Sequence, residues 1–247
     1  MKGARLPGSK RPAVVIVLTG GTGTGKSTVA AELQKRHARV VEVDRYVRTL
    51  LRPGEPAWHD LLEAFCGALL KGRRVALRPV FSPGDFNDRQ GRAFTQLPWV
   101  IGPRGNIRRD RLRALVFSRP AALKRLNRIV QPRLRQLLDE TVAQHRQRSR
   151  RPLVLDMAVY PEPSFRGLGD VVLWVRASQA VRAQRLAKRK RLSPAQARAR
   201  VRAQWPDAAY RKISDCVLSN TGSNRDLRLA VEKIWSRLLT KAAGGNT

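Results

Sequence analysis

The residues with the clearest chemical meaning form a glycine-rich run, Gly-Gly-Thr-Gly-Thr-Gly-Lys-Ser, at positions 20–27. The run satisfies the P-loop pattern G-x-x-x-x-G-K-[ST], in which glycines let successive backbone N–H groups point at phosphate oxygens. Lys26 is predicted to contact the β- and γ-phosphates of ATP, and the Ser27 hydroxyl to bind Mg²⁺. The predicted nucleotide-binding residues are Gly21, Thr22, Gly23, Thr24, Gly25, Lys26, Ser27 and Thr28. The alternative is an ordinary glycine-rich turn between a strand and a helix.

Two carboxylates follow apolar runs and are suited to phosphate chemistry. Asp156 closes the run 152–155, where a Walker-B-like acid reaches the metal directly or through water. As an alternative, Asp156 is a strand-end acid that hydrogen-bonds a turn. Asp44 follows a second short strand at 40–43, and a carboxylate there could accept a proton from an acceptor hydroxyl.

Three arginines, Arg182, Arg185 and Arg189, recur at helical spacing. Residues at i, i+3 and i+7 share one face of a helix, and planar guanidinium groups suit phosphate oxygens. They are therefore candidates to close over a phosphoryl group in transfer. The alternative is a solvated basic face, because Lys188, Lys190 and Arg191 crowd the same stretch.

These residues need elements that bring them to one edge of a sheet. Apolar runs rich in β-branched residues predict parallel strands at 13–19, 40–43, 153–159 and 171–175. Helical patterns begin at Lys26 and cover 57–71, 109–117, 120–144, 178–190, 194–204 and 224–240. This alternation predicts an α/β fold, a doubly wound parallel sheet flanked by helices.

Two segments interrupt the alternation. Residues 72–105 contain four prolines and several glycines without a steady period, which is typical of a long excursion or insertion. Residues 145–151 are polar and basic, and they predict a connection that lies in solvent.

The length and composition of the chain limit the kinds of protein to which it can belong. The chain has 247 residues, enough for one generous α/β domain. No apolar run reaches the roughly 18 residues that a membrane-spanning helix needs, so a soluble protein without membrane contact is expected. The two cysteines lie far apart, which suggests neither a zinc site nor a disulfide framework.

The net charge is unusual. The chain has 50 Lys and Arg residues and only 18 Asp and Glu residues, which gives a formal charge of +32. A field this positive attracts polyanions and gives salt-sensitive affinity for nucleic acid. The alternative is a solvated basic surface with no such partner. Residues 1–12 are predicted to be a basic extension, which leaves a cytoplasmic protein or one of the mitochondrial matrix as the expected locations.

The ordered motifs resemble those of the dephospho-CoA kinase family over about residues 14–238. The resemblance begins with Leu-Thr-Gly-Gly and a P-loop ending in Gly-Lys-Ser-Thr, and it continues through acceptor, lid and closing motifs. The residues that carry it are 18–28, 42–44, 54–57, 107–109, 126–127, Pro132, 155–162, Arg185, Leu186, Arg189, Ser193, Ala197, Gln204, Asp215, Asn220 and Gly222.

The resemblance implies a P-loop kinase domain over 13–240, with an insertion at 72–105, a lid region at 178–204 and a flexible tail at 241–247. It implies MgATP-dependent phosphorylation of the ribose 3′-hydroxyl of dephospho-CoA to give coenzyme A. Asp44 would be the base, and Arg185 would steady the charge that develops on the transferred phosphoryl group. The other implied contacts are Arg189 and Asn220 to ATP, Arg109 and Glu162 to the substrate, and Asp156 with Ser27 to the metal.

The chain departs from the family pattern on the acceptor side. The family's histidine before Pro132 is Gln131, its Phe-Gly pair is Phe65-Cys66, and the first acid of its Asp-Ala-Asp segment is Glu42. These departures and the charge keep a second hypothesis open, in which the kinase fold serves as a basic RNA-binding or ribonucleoprotein component.

Overall fold

The computed structural model describes residues 12–66, 100, 106–158 and 163–243. These residues divide into two compact units. The sheet unit comprises the described residues up to Asp44 and those from Leu138 onward, and the helical unit comprises the described residues from Arg45 to Leu137. Residues 178–204, which were predicted to form a lid, fall within the sheet unit. Most of the predicted insertion at 72–105 and the extension at 1–11 lie outside the described residues.

The sheet unit contains one parallel sheet of five strands among the described residues, in the order β2-β3-β1-β4-β5. The strands are β1 Val15–Thr19, β2 Arg39–Glu42, β3 Leu153–Met157, β4 Val171–Arg176 and β5 Cys216–Ser219. All residues of β1 and β3 are buried, as expected for strands covered on both faces. Because β1 is central, the loop that follows it leaves the middle of the carboxyl edge, where ligands bind in such sheets.

Nine α-helices lie within the described ranges. They are α1 Lys26–Lys35, α2 Val43–Leu50, α3 Pro56–Cys66, α4 Arg109–Ser118, α5 Pro120–Arg148, α6 Gln179–Lys190, α7 Pro194–Arg202, α8 Asp207–Ile213 and α9 Asn224–Ala243. The predicted α/β class with a parallel sheet flanked by helices is therefore confirmed.

Packing differs between the parts of the molecule. In the sheet unit, Ile16, Leu18 and Val29 share a continuous core with Val231 and Leu238 of α9. Helices α6 and α7 pair over a small core of four buried residues, Ala183, Leu186, Ala197 and Val201. The helical unit has its own apolar cluster, which includes Trp58, Leu61, Ile107, Leu112 and Val116.

Three elements were absent from the sequence predictions: β5, α2 and α8. Strand β5 has four residues whose side chains alternate between buried and exposed, so it lacks the continuous apolar run that marks the inner strands. Helices α2 and α8 have eight and seven residues, which is too short for a helical period to stand out.

The prediction that residues 145–151 form a solvent connection was wrong for its first part. Helix α5 continues to Arg148, and His145 is only 2% exposed. Its Nε2 lies 2.8 Å from the backbone oxygen of Arg151 and its Nδ1 lies 3.5 Å from Arg39 Nη1. The ring is buried because its polar atoms find partners inside the protein. Likewise, α9 extends through residues 241–243, which the sequence assigned to the tail.

Candidate phosphate-binding site

The glycine-rich run forms the turn between β1 and α1. Gly23 and Gly25 have φ values of 82° and 90°, a region that residues with a Cβ rarely adopt. Gly25 precedes the first residue of α1, and its carbonyl oxygen accepts from the amides of Thr28 and Val29 at 2.9 and 3.1 Å. The turn therefore ends at the N-terminus of a helix, where free N–H groups favour an anion.

Lys26 and Asp156 form an ion pair at the base of this turn. They meet because β1 and β3 are neighbours in register, with Leu18 opposite Asp156. The two side chains are only 16% and 9% exposed. The carboxylate of Asp156 therefore accepts from the lysine that the sequence assigned to the phosphates, rather than serving only a turn. Ser27 and Thr28 lie exposed in the first turn of α1.

Thr22, in the middle of the loop, is bound by two side chains from residues 178–204. Its N–H donates to Gln204 Oε1 at 2.7 Å, and its hydroxyl accepts from Gln204 Nε2 at 2.7 Å. Its carbonyl oxygen accepts from Arg182 Nε at 3.0 Å. Arg182 Nη2 also donates to Gln204 Oε1 at 2.6 Å. The backbone and the side chain of Thr22 are thus both bound by the same pair of residues.

Thr24 is held in a similar way from another direction. Its carbonyl oxygen accepts from Asn220 Nδ2 at 2.8 Å, and its hydroxyl donates to the Gly21 carbonyl oxygen at 2.8 Å. Asn220 follows β5, is 5% exposed, and accepts in turn from Arg185, whose Nη1 lies 3.0 Å from its backbone oxygen. Arg185 Nη2 also donates to the Gly222 carbonyl oxygen at 3.3 Å.

Arg182 is the buried member of the predicted arginine face, with 3% exposure. Burial lowers the pKa of its guanidinium, and the neighbouring Asp207 and Tyr210 oppose that shift. Burial also raises the pKa of Tyr210, whose ring stacks on Trp174 with 5.7 Å between centroids. Arg182 is thus directed into the protein and toward the loop backbone. Its prediction as part of one phosphate-facing row with Arg185 and Arg189 does not fit this position.

The remaining candidates are spread over the molecule. Asp44 is exposed in the first turn of α2, two residues past the end of β2; β2 is two strands from β1, or about 10 Å across the sheet. Arg189 is exposed in the last turn of α6. Arg109 is the first residue of α4 in the helical unit and is exposed. Glu162 lies outside the described residues.

Sequence reasoning missed how Arg182 and Gln204 act on the loop. The resemblance identified Gln204 only as a matching position and treated Arg182 as one of three equivalent arginines. The available signal was in the loop itself, which has glycine at 21 and 23 where the pattern accepts any residue. A Cβ at Gly21 would overlap Arg182 Nη2 and lie 2.5 Å from Gln204 Oε1.

Comparison with known proteins decides the family. A sequence model of the dephospho-CoA kinase family matches residues 14–93 and 89–226. The chain belongs to the dephospho-CoA kinase family. A dephospho-CoA kinase from Corynebacterium jeikeium is 31% identical over 91% of this chain and all of its own length. Another from Geobacillus kaustophilus is 32% identical over 91% of this chain and 98% of its own length.

Solved structures agree with the fold. The Thermus thermophilus protein TT1252 is 30% identical and superposes with a TM-score of 0.65, covering 92% of this chain and 99% of its own. A dephospho-CoA kinase from Campylobacter jejuni superposes with a TM-score of 0.51 at 19% identity and covers 92% of this chain and 97% of its own, which supports the fold alone. Family membership makes the chain a P-loop kinase that uses ATP, whereas the RNA-binding hypothesis gains no support from these relatives.

The described residues contain no group of three or more His, Cys, Asp or Glu side chains able to enclose a metal ion. No helix in the described ranges has the length and hydropathy to cross a bilayer.

Proposed function

We propose that this protein transfers the γ-phosphoryl group of ATP to the ribose 3′-hydroxyl of dephospho-CoA, forming coenzyme A and releasing ADP. The observation that carries the proposal is the phosphate loop, which ends in Gly-Lys-Ser and whose backbone is bound by Gln204, Arg182 and Asn220. Because these side chains fix the loop backbone in advance, the loop fits a reaction that depends mainly on positioning and electrostatics.

On the nucleotide side, Lys26 and the loop N–H groups bind the β- and γ-phosphates, except for the N–H of Thr22, which donates to Gln204. Lys26 then exchanges its contact with Asp156 for phosphate oxygens. Arg185 and Arg189 approach the transferred group from α6, and Asn220 contributes by supporting the loop. In this assignment Lys26, Arg185 and Arg189 bind phosphate oxygens. Arg182 stays buried against the loop backbone.

A magnesium ion fits the donor set only when nucleotide is bound. Ser27 is an exposed residue next to the loop that supplies a hydroxyl, and Asp156 supplies a carboxylate, but two side chains are fewer than Mg²⁺ requires. Magnesium in kinases takes its remaining ligands from phosphates and water. We therefore assign Ser27, and Asp156 directly or through water, as its protein ligands. The bound ion would neutralise charge on the phosphates.

On the acceptor side, Asp44 is the proposed base that takes the proton of the 3′-hydroxyl. Its exposed position just beyond the carboxyl edge of β2 suits a carboxylate that must meet a diffusing substrate. Arg109 and Glu162 are the proposed substrate contacts, with Arg109 suited to a phosphate of dephospho-CoA.

The proposal is tested by incubating purified protein with MgATP and a panel of acceptors that includes dephospho-CoA, adenosine, AMP and shikimate. Phosphorylation of dephospho-CoA is expected to exceed that of every other acceptor, with the product identified as coenzyme A by mass spectrometry and its 3′-phosphate by ³¹P NMR. A matched preparation of Lys26→Ala excludes a contaminating host kinase. ATP binding without transfer to dephospho-CoA would sink the proposal.

A further inference from the structure

Gln204 lies two residues past the end of α7 and reaches back to the phosphate loop. It makes three close hydrogen bonds there, two to Thr22 at 2.7 Å and one to Arg182 at 2.6 Å. Its amide therefore donates once and accepts twice, which leaves little freedom to rotate. The Gln204 side chain is therefore held in one orientation against the loop.

Arg182 completes the arrangement from α6. Its Nε donates to the Thr22 carbonyl oxygen at 3.0 Å, and its Nη1 lies 3.9 Å from Asp207 Oδ1. A buried guanidinium needs most of its donors paired. Gln204 supplies one of those acceptors and so keeps Arg182 turned toward Thr22.

Peptide geometry gives this contact a consequence for phosphate binding. The Thr22 carbonyl and the Gly23 N–H belong to one planar trans peptide unit and point in opposite directions. When the Arg182 guanidinium binds the carbonyl oxygen, the Gly23 N–H is directed away from that guanidinium. The same geometry applies where Asn220 holds the Thr24 carbonyl oxygen and thereby directs the Gly25 N–H.

The glycines of the loop are consistent with this arrangement. A Cβ at Gly23 would lie 2.7 Å from the backbone oxygen of Arg182. A Cβ at Gly21 would lie 2.5 Å from Gln204 Oε1. Two glycines thus give Arg182 and Gln204 the room to approach the loop this closely.

We propose that Gln204 is a positioning residue, which together with Arg182 fixes the Thr22–Gly23 peptide so that its N–H faces the phosphates of ATP. The inference rests on the proposed function only in taking ATP as the donor. It also means that the α6–α7 pair, which carries Arg185 and Arg189, is joined to the loop through Arg182 and Gln204. Loss of the Gln204 hydrogen bonds should therefore raise the Kd for ATP and leave the KM for dephospho-CoA unchanged.

The test uses Gln204→Met, which keeps the side-chain length and removes all three hydrogen bonds. Isothermal titration calorimetry with MgATP is expected to give a Kd about tenfold higher than wild type, or about 1.4 kcal/mol. In steady-state assays the KM for ATP should rise by a similar factor, while the KM for dephospho-CoA stays within twofold. A general loss of structure would raise both.

The matched control is Gln184→Met, which changes an exposed glutamine of α6 in the same helical pair. Its Kd for ATP is expected to stay within twofold of wild type. Equal damage by both substitutions, or a Gln204→Met protein that binds ATP as wild type does, would overturn the proposal.

Thr22→Val provides a second, independent variant, which tests the same contact even where Gln204→Met cannot be purified in folded form. It removes only the hydroxyl that accepts from Gln204 Nε2, so a two- to threefold rise in Kd is expected in the wild-type background. In a Gln204→Met background it should add nothing, because the partner is already gone. Full additivity of the two effects, or no effect of Thr22→Val alone, counts against the inference. Because calorimetry needs no acceptor, a wild type that binds ATP but leaves dephospho-CoA unchanged refutes the proposed function alone.

Discussion

The sheet unit and the helical unit are organised on different principles. Around the phosphate loop of the sheet unit, side chains from α6, the end of α7 and the end of β5 bind backbone atoms that are distant in sequence. The helical unit instead packs an apolar cluster, and a groove of about 370 Å³ on it is lined by acids and arginines, Asp60, Glu63, Arg125 and Arg128 among them.

This difference matches the two tasks of the proposed reaction, which are to hold the triphosphate and to select the acceptor. Triphosphates are the same in every kinase, and they are bound through backbone N–H groups whose directions must be fixed in advance. An acceptor is recognised by side chains, which can be exchanged one at a time. Two departures from the family pattern, Cys66 and Gln131, fall in the helical unit, whereas the loop motif is complete.

The largest expected effect on activity comes from Lys26→Ala, which removes the lysine proposed to bind the phosphates of ATP. We expect kcat/KM to fall by about 10³-fold, because one preorganised cation at the transferred charge contributes on that scale. The substitution also leaves the carboxylate of Asp156 unpaired beside the phosphates, so the Kd for ATP should rise. A coupled assay and calorimetry measure the two quantities. Lys233→Ala, which removes an exposed lysine from α9, is the control and should behave as wild type; a fully active Lys26→Ala protein would contradict the assignment.

Asp44→Asn tests the acceptor side on its own. Loss of a general base is expected to lower kcat by about 10² to 10⁴-fold, while the Kd for ATP measured by calorimetry stays within twofold. Glu232→Gln, which removes an equally exposed carboxylate from α9, controls for the change in charge. If Asp44→Asn weakened ATP binding and left kcat unchanged, Asp44 would belong to the nucleotide site and would not be the base.

Asn220→Ala tests the framework beneath the loop. The Thr24 carbonyl oxygen would lose the donor at 2.8 Å, and a buried acceptor without a partner costs about 1–3 kcal/mol. The free energy of unfolding in urea should fall by about 2 kcal/mol. Asn224→Ala, at the exposed start of α9, should change it by less than about 0.5 kcal/mol. Equal stability of the two variants would mean that Asn220 does not support the loop.

The sequence was informative where structure follows from local pattern. The buried runs predicted β1, β3 and β4, and the spacing of Gly25, Lys26 and Ser27 predicted a strand, a turn and a helix in that order. It was silent where the structure depends on partners far along the chain. Nothing local to Arg182 distinguishes it from Arg189, yet one is buried against Thr22 and the other is exposed.

The sequence was also silent about the surroundings of Thr19, the last residue of β1, which is fully buried. Its hydroxyl has no hydrogen-bond partner among the described residues, in contrast to Thr22 and Thr24 a few positions later. Removing a buried polar group that has no partner relieves a desolvation cost, provided that the shape is kept.

Thr19→Val is therefore expected to raise the free energy of unfolding by about 1 kcal/mol and to leave the Kd for ATP within twofold. Thr19→Ser, which keeps the hydroxyl and loses the methyl group, should lower stability by a similar amount because it leaves a cavity. Urea denaturation of the three proteins checks the order. A destabilised Thr19→Val protein would mean that the hydroxyl does have a partner, such as a buried water molecule. The polar network of the sheet unit would then begin at the end of β1, one residue before the loop.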